Sequence, residues 1–204
     1  GDQLLLDALM DVQGAQIGML YNTATGEVVN EKTFVFAAYE RRYVEWVPRD
    51  IKSACPLKGY PTPVGGGLYR DYGTDDSVLA ECVEWEENGS LWTKRGNELQ
   101  AAGTWYTVDP DTLATAFIGM AKTQFTASKK LMAGIRDERM PIPGGGTRPA
   151  LLFYRAWTLG TALRSKTVEG GTNEWFVFSH KPAFRLQEHV NGRAILEVVR
   201  SIQD

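Results

Sequence analysis

The run from Thr33 to Val47, which ends at Pro48, constrains this chain most: it is dense in β-branched and aromatic residues. Such residues fit a pleated, half-buried surface, and proline ends a ladder because it has no N–H to donate. The run predicts one long or bent strand, or two strands sharing it, and so a sheet-based fold. Strand alternation places Tyr39, Arg41 and Tyr43 on one face and Arg42, Val44 and Trp46 on the other.

The rest of the chain can be read around that strand. Ile17 to Val29 reads as strand, turn, strand, with Thr25-Gly26 supplying the turn. Residues 48–77 hold four prolines and five glycines, including Gly65-Gly66-Gly67, and predict a long surface loop. Val78 to Trp85 and Gln100 to Val108 read as strands separated by a polar turn around Glu87-Asn88-Gly89-Ser90. Leu113 to Met120 reads as a buried strand after the turn Asp109-Pro110-Asp111.

From Thr123 to Arg139 the period changes to that of a helix, with Phe125, Leu131, Met132 and Ile135 on one side and Thr123 or Thr126 as cap. Pro141 to Gly146 stops it. Pro149 to Leu159 and Thr172 to Ser179 then read as strands joined through Gly170-Gly171, and a terminal helix begins near Asn191. Together these predict an α+β fold in one domain over residues 1–204, with an antiparallel, barrel-like sheet, a middle helix and a C-terminal helix.

Composition narrows the function. A chain of 204 residues, 43% hydrophobic, buries a sizeable core without disulfides or metals, yet six tryptophans exceed what that core needs. Cys55 and Cys82 match neither a zinc hairpin nor a CxxC pair and are read as reduced. No stretch approaches the roughly 18 apolar residues of a membrane span, and the opening residues, interrupted by Asp7 and Asp11, do not form a signal peptide. The net charge of −3 is distributed as −1 over residues 1–70, −8 over 71–112 and +6 over 113–204, which is compatible with one positive face.

Enzyme chemistry finds little footing. Neither Gly65-Gly66-Gly67 nor Gly144-Gly145-Gly146 is followed by the Lys-Ser/Thr of a phosphate loop. The carboxylates Glu81, Glu84, Glu86 and Glu87 read as a solvated face rather than an acid–base pair. No GxSxG occurs, and Ser179 and His180 are adjacent in sequence, so on a strand they point to opposite faces. The expectation is a protein that is not an enzyme and uses no cofactor or metal.

Basic residues interleaved with aromatics carry more. Arg41, Tyr43 and Trp46 lie along the first long strand with Arg49 just past its end, and Phe153, Arg155 and Trp157 group on one side of another. Lys122, Lys129 and Arg136 recur every seven residues, forming a stripe beside Phe125 and Met132. Rings on a sheet beside cations suit single-stranded nucleic acid: each stacked base contributes roughly 1–3 kcal/mol, and the cations track phosphates. The competing arrangement has the tryptophans filling a core, the arginines pairing with Glu40, Glu45 or the acidic middle segment, and the Lys122, Lys129 and Arg136 stripe snorkelling over the core edge.

The phrase Gly14-Ala15-Gln16-Ile17-Gly18-Met19-Leu20-Tyr21-Asn22-Thr23-Ala24-Thr25-Gly26-Glu27-Val28, then Tyr43-Val44-Glu45-Trp46-Val47-Pro48-Arg49, then the helix from Thr123-Gln124 to Lys130, resembles a group of tailed-phage and prophage proteins. The likeness covers about two thirds of the chain, and its motifs are structural rather than catalytic. A looser similarity is to phage single-stranded DNA-binding proteins built on an OB-like barrel. That similarity implies DNA binding in replication or recombination, with Arg41, Tyr43, Trp46 and Arg155 as contacts, beside Arg49, Lys122, Lys129 and Trp157 from the pattern above. It also implies partners among phage replication or recombination proteins and a place in the bacterial host cytoplasm, and it leaves room for a homo-oligomer. One departure stands out, since such proteins commonly end in an acidic tail and this chain closes with Arg200-Ser201-Ile202-Gln203-Asp204. The alternative is a protein-binding or virion-associated module, which predicts an apolar patch without a positive surround.

Overall fold

A computed structural model describes residues 16–85, 90–168 and 171–204. Along the chain run β1 (Leu20–Tyr21), β2 (Val28–Val29), β3 (Lys32–Trp46), β4 (Leu68–Gly73), β5 (Cys82–Trp85), β6 (Ser90–Thr93), β7 (Glu98–Val108) and β8 (Thr115–Ala121). Helix α1 (Thr123–Asp137) follows, then β9 (Arg139–Pro141), β10 (Thr147–Pro149), β11 (Arg155–Val168), β12 (Gly171–Arg185) and helix α2 (Gly192–Gln203). The mixed α and β composition, the long first strand, the middle helix and the terminal helix all match the sequence reading.

The chain divides into two compact units. Among the described residues, the first lies within 16–38, 107–116 and 129–204, and the second within 39–106 and 117–128.

In the first unit, β11 pairs antiparallel with β12 along almost its whole length, and its opening residues Ala156 to Leu159 pair with Lys32 to Val35 of β3. Thr33 and Thr158 join hydroxyls across that ladder at 2.8 Å. The core gathers Val35, Ala37, Val108 and Ala156 around Leu186, Ile195 and Val199. Ile195 and Val199 lie one turn apart on α2 and are fully buried, each contributing about 1.5–3 kcal/mol by leaving water. The helix opens at Gly192, where glycine is needed because a Cβ would fall on the Leu186 carbonyl. The small hairpin β1–β2 is set by Asn22, whose Oδ1 accepts from the N–H groups of Ala24 at 2.9 Å and Thr25 at 3.3 Å, and by Gly26 at φ +74°.

In the second unit the hydrogen-bonded order is β3-β7-β6-β5, with β4 on β3 and β8 on β7. Tyr43, Val78 and Leu99 form its buried apolar cluster. Trp105, fully buried, donates its indole N–H to Ser128 Oγ at 2.9 Å and packs against Tyr39 at a ring separation of 4.6 Å. In neither unit do the described pairings close the sheet on itself, so the architecture is an open, mostly antiparallel one rather than a barrel.

Four local expectations are corrected. The loop over 48–77 contains β4, whose Leu-Tyr-Arg-Asp-Tyr-Gly sequence hides its period because two bulges interrupt the alternation. A short strand, β6, occupies Ser90–Thr93 in place of the last part of the expected polar turn, whose other residues lie outside those described. β8 is a strand, but an amphipathic one: Phe117 is 72% exposed, so this run is not buried. The strand expected from Pro149 begins only at Arg155. Pro149 and Pro141 instead end the edge ladder β9–β10, where a missing N–H is tolerated, and the chain turns at Leu151 to Tyr154 through a 2.9 Å backbone bond.

Candidate functional site

The second unit concentrates its polar chemistry where β4 meets β3. The register Tyr43↔Gly73, Val44↔Asp71, Glu45↔Arg70, Trp46↔Leu68 advances two residues on β4 for one on β3 at two places. Tyr72 and Tyr69 are therefore the extra residues of two bulges, a device that re-aims side chains. Tyr72 turns its hydroxyl to Glu45 Oε2 at 2.6 Å, and the Tyr69 ring lies under the Arg95 guanidinium at 5.3 Å.

Glu45 is fully buried. Arg95 grips it with two bonds, Nε to Oε1 at 3.0 Å and Nη2 to Oε2 at 2.8 Å, the fork geometry that suits a carboxylate. Thr93 Oγ1 and Asn97 Nδ2 each add a bond to Oε1 at 2.9 Å. Those donors come from the turn between β6 and β7, closed by Gly96 N–H to the Thr93 carbonyl at 2.8 Å with Gly96 at φ +78°. A Cβ at Gly96 would collide with the Pro61 carbonyl, so glycine is required on two counts.

Burial alone would push the Glu45 carboxyl up, but the bonds from Arg95, Tyr72, Asn97 and Thr93 outweigh it and bring it down to about 2. Burial and the bond to Glu45 together push the Tyr72 phenol up to about 12. The bond to Glu45 likewise raises Arg95 above its ordinary value. Near neutral pH, then, the carboxylate stays charged and the phenol stays protonated, and neither group exchanges a proton. The cluster holds shape: it fixes the arginine, the two tyrosines and the end of β3 against one another.

Outside this cluster the ribbon shows rings and cations to solvent. Trp46 is 37% exposed, Leu68 57% and Tyr69 52%, while Arg49 and Arg70 are exposed and Arg95 is partly so. The Arg70 guanidinium lies over the Tyr72 ring at 4.8 Å. Of the residues predicted from sequence, Trp46 and Arg49 fall here.

The other predicted residues separate. Arg41 is exposed, its guanidinium 5.3 Å from the rings of both Tyr43 and Phe125, whereas Tyr43 itself is only 3% exposed within the apolar cluster. Lys122 is exposed just before α1, with φ +52°. In the first unit, Lys129 is exposed on α1, Arg155 Nε lies 2.6 Å from Glu138 Oε1, and Trp157 is 5% exposed. Trp157 packs so close to α1 that a Cβ on Gly134 would sit 3.2 Å from the indole, and it meets His180 edge-on at 5.8 Å. Tyr43 and Trp157 are thus taken up by packing, Arg155 by Glu138, and Arg42 pairs with Asp71 at 3.3 Å.

Sequence reasoning missed Arg95, Tyr69 and Tyr72. One signal was available: Glu45 shares the face of Tyr43 by alternation, so once Tyr43 is inward Glu45 is inward too and needs donors from elsewhere.

Among the described residues, no group of three or more His, Cys, Asp or Glu is placed to hold a metal ion. No helix there is long and apolar enough to cross a membrane. No curated protein and no solved structure matches the chain. Residues 8–189 match the family described as Pam3 phage gp34-like protein, in keeping with the phage resemblance of the sequence motifs, and the chain belongs to that family.

Proposed function

We propose that this protein binds single-stranded DNA through the β3–β4 ribbon of its second unit, and that it does so in phage DNA replication or recombination in the host cytoplasm. One observation carries the reading: the exposed rings of Trp46 and Tyr69 share a ribbon with the guanidinium groups of Arg49 and Arg70, while Arg95, held by Glu45, lies over Tyr69. Exposed rings stack on any base and adjacent cations meet phosphates. The fold expectation attached to this reading is OB-like; its support is the sheet order β3-β7-β6-β5, antiparallel at β5–β6 and β6–β7, not a closed barrel.

Charge sets the character of the binding. The second unit carries nine basic and eleven acidic residues, so attraction from its overall field is absent and the local rings and cations do the binding. That same balance favours a second reading, in which Trp46, Leu68 and Tyr69 anchor a protein partner, because aromatic residues and arginine also dominate protein interfaces.

The test is anisotropy of a labelled oligothymidine at low salt. Trp46→Ala and Tyr69→Ala should each weaken binding about 5- to 150-fold, the loss of one stacked base. Absence of binding by the wild-type protein at micromolar concentration rejects the reading and turns attention to a protein partner.

A further inference from the structure

The first unit contains a ribbon that its own core does not use. β11 pairs with β3 only from Ala156 to Leu159, but it continues with β12 to Val168↔Gly171. Nine residues of β11 therefore extend past the last β3 partner, a reach of about 30 Å at the rise of a strand.

The register sorts the two faces of this extension. One face carries Thr161 opposite Phe178, Leu163 opposite Phe176, and Ser165 opposite Glu174. It is braced: Thr161 Oγ1 donates to the Gly18 carbonyl, and Gly18 lies so close to the Phe176 ring that no Cβ would fit between them. The opposite face carries Ala162 opposite Val177, Arg164 opposite Trp175, and Lys166 opposite Asn173. Arg164, Lys166 and Asn173 are exposed, and Trp175 is half-buried. Neither Arg164 nor Lys166 forms an ion pair among the described residues, and between the Ala162 and Lys166 pairs this face has no carboxylate. The first acidic group toward the base on this side, Glu31, meets Gly160 and is paired with Lys181 at 2.6 Å.

A tryptophan directly across the ladder from an arginine, with a lysine next along the same face, reproduces in the first unit the chemistry argued for the β3–β4 ribbon. Cross-strand partners stand about 4.5–5.5 Å apart at Cβ, so the indole and the two cations form one surface. We infer that the Arg164–Lys166–Trp175 face of the β11–β12 ribbon is a second contact for single-stranded DNA, Trp175 stacking on a base and the two cations meeting phosphates. This inference rests on the proposed DNA binding, and it adds a site in the other unit.

The experiment measures labelled oligothymidine of about 30 nucleotides, longer than the roughly 4–16 a single groove covers, against the full chain over a range of salt. Trp175→Leu should weaken binding about 5- to 150-fold. The double variant Arg164→Ala with Lys166→Ala should weaken it at low salt and reduce the slope of log affinity against log salt by about 1.4, the contribution of two phosphate contacts on a single strand. Arg164→Glu, which keeps a long polar side chain on the strand, should weaken it further. Unchanged affinity and slope in these variants, with binding weakened in Trp46→Ala, overturns the second contact and leaves the β3–β4 reading standing. No binding by the wild-type chain overturns both.

Discussion

Two ribbons, β3–β4 in the second unit and β11–β12 in the first, carry charged and aromatic residues in similar density and spend them differently. On the inner side of β3–β4, both oxygens of the Glu45 carboxylate are taken up by donors from Arg95, Tyr72, Thr93 and Asn97. On the distal β11–β12 face, Arg164 and Lys166 satisfy nothing within the described chain. A buried charge must be paired, because an uncompensated one costs several kcal/mol, whereas an exposed cation costs little and stays available. On the proposal made for the β11–β12 face, the first arrangement serves stability and the second recognition, and substitutions should separate them.

The largest effect is expected from Glu45→Ala, which leaves Arg95 only the exposed Glu81 at 3.6 Å, strips the donors of Tyr72, Thr93 and Asn97 of their acceptor, and empties a buried site. Urea unfolding should report a loss of about 3–5 kcal/mol. A loss under about 1 kcal/mol would mean that the cluster is no more than a surface pair.

Titration gives the next effect. The Glu45 carboxyl lies at about 2 in the fold against 4.5 unfolded, so its stabilisation is complete above pH 4.5 and disappears as pH falls through that interval to about 2. The contribution is about 3 kcal/mol, and Glu45→Gln should remove that part of the acid limb. Asp109, lowered because backbone bonds from Asp111 and Thr112 and the Lys32 ammonium outweigh its burial, keeps a smaller acid dependence in the first unit. Tyr72 acts on the other side: its phenol is raised from 10 to about 12, so its share is complete below pH 10 and lost as pH rises through 12. The difference in stability between the unmodified protein and Glu45→Gln should then be constant from about pH 4.5 to pH 10 and shrink as pH falls below 4.5, and a difference that does not shrink there would contradict the assignment.

Thr161→Val removes the brace between β11 and Gly18 and should cost about 1 kcal/mol, with increased amide exchange along the distal ribbon. Arg164→Ala with Lys166→Ala should change stability by no more than about 0.5 kcal/mol. Destabilisation beyond that would show that the face is structural and would weaken the contrast between the ribbons.

The sequence made the elements legible where local signals agree. Thr33 to Val47 could be little but strand, Asn22 and Gly26 make a turn by their own chemistry, and the Ile195 and Val199 stripe needs a helix. It was silent where the determinant is a distant partner. Nothing near Leu68-Tyr69-Arg70 announces that two bulges there aim tyrosines at a glutamate on β3 and an arginine beyond β6. The candidate site was half legible for the same reason. Arg155 and Trp157 look like Arg49 and Trp46 in sequence, and only Glu138 and Gly134, which take up the first pair, distinguish them.

The most direct test of the account is the tryptophan fluorescence of the unmodified protein during titration with unlabelled oligothymidine, at low salt and again at higher salt. The account predicts quenching from exposed Trp46 and half-buried Trp175 that weakens as salt rises, because rings stack on bases while cations contact phosphates. Unchanged fluorescence at micromolar concentrations in low salt would contradict it.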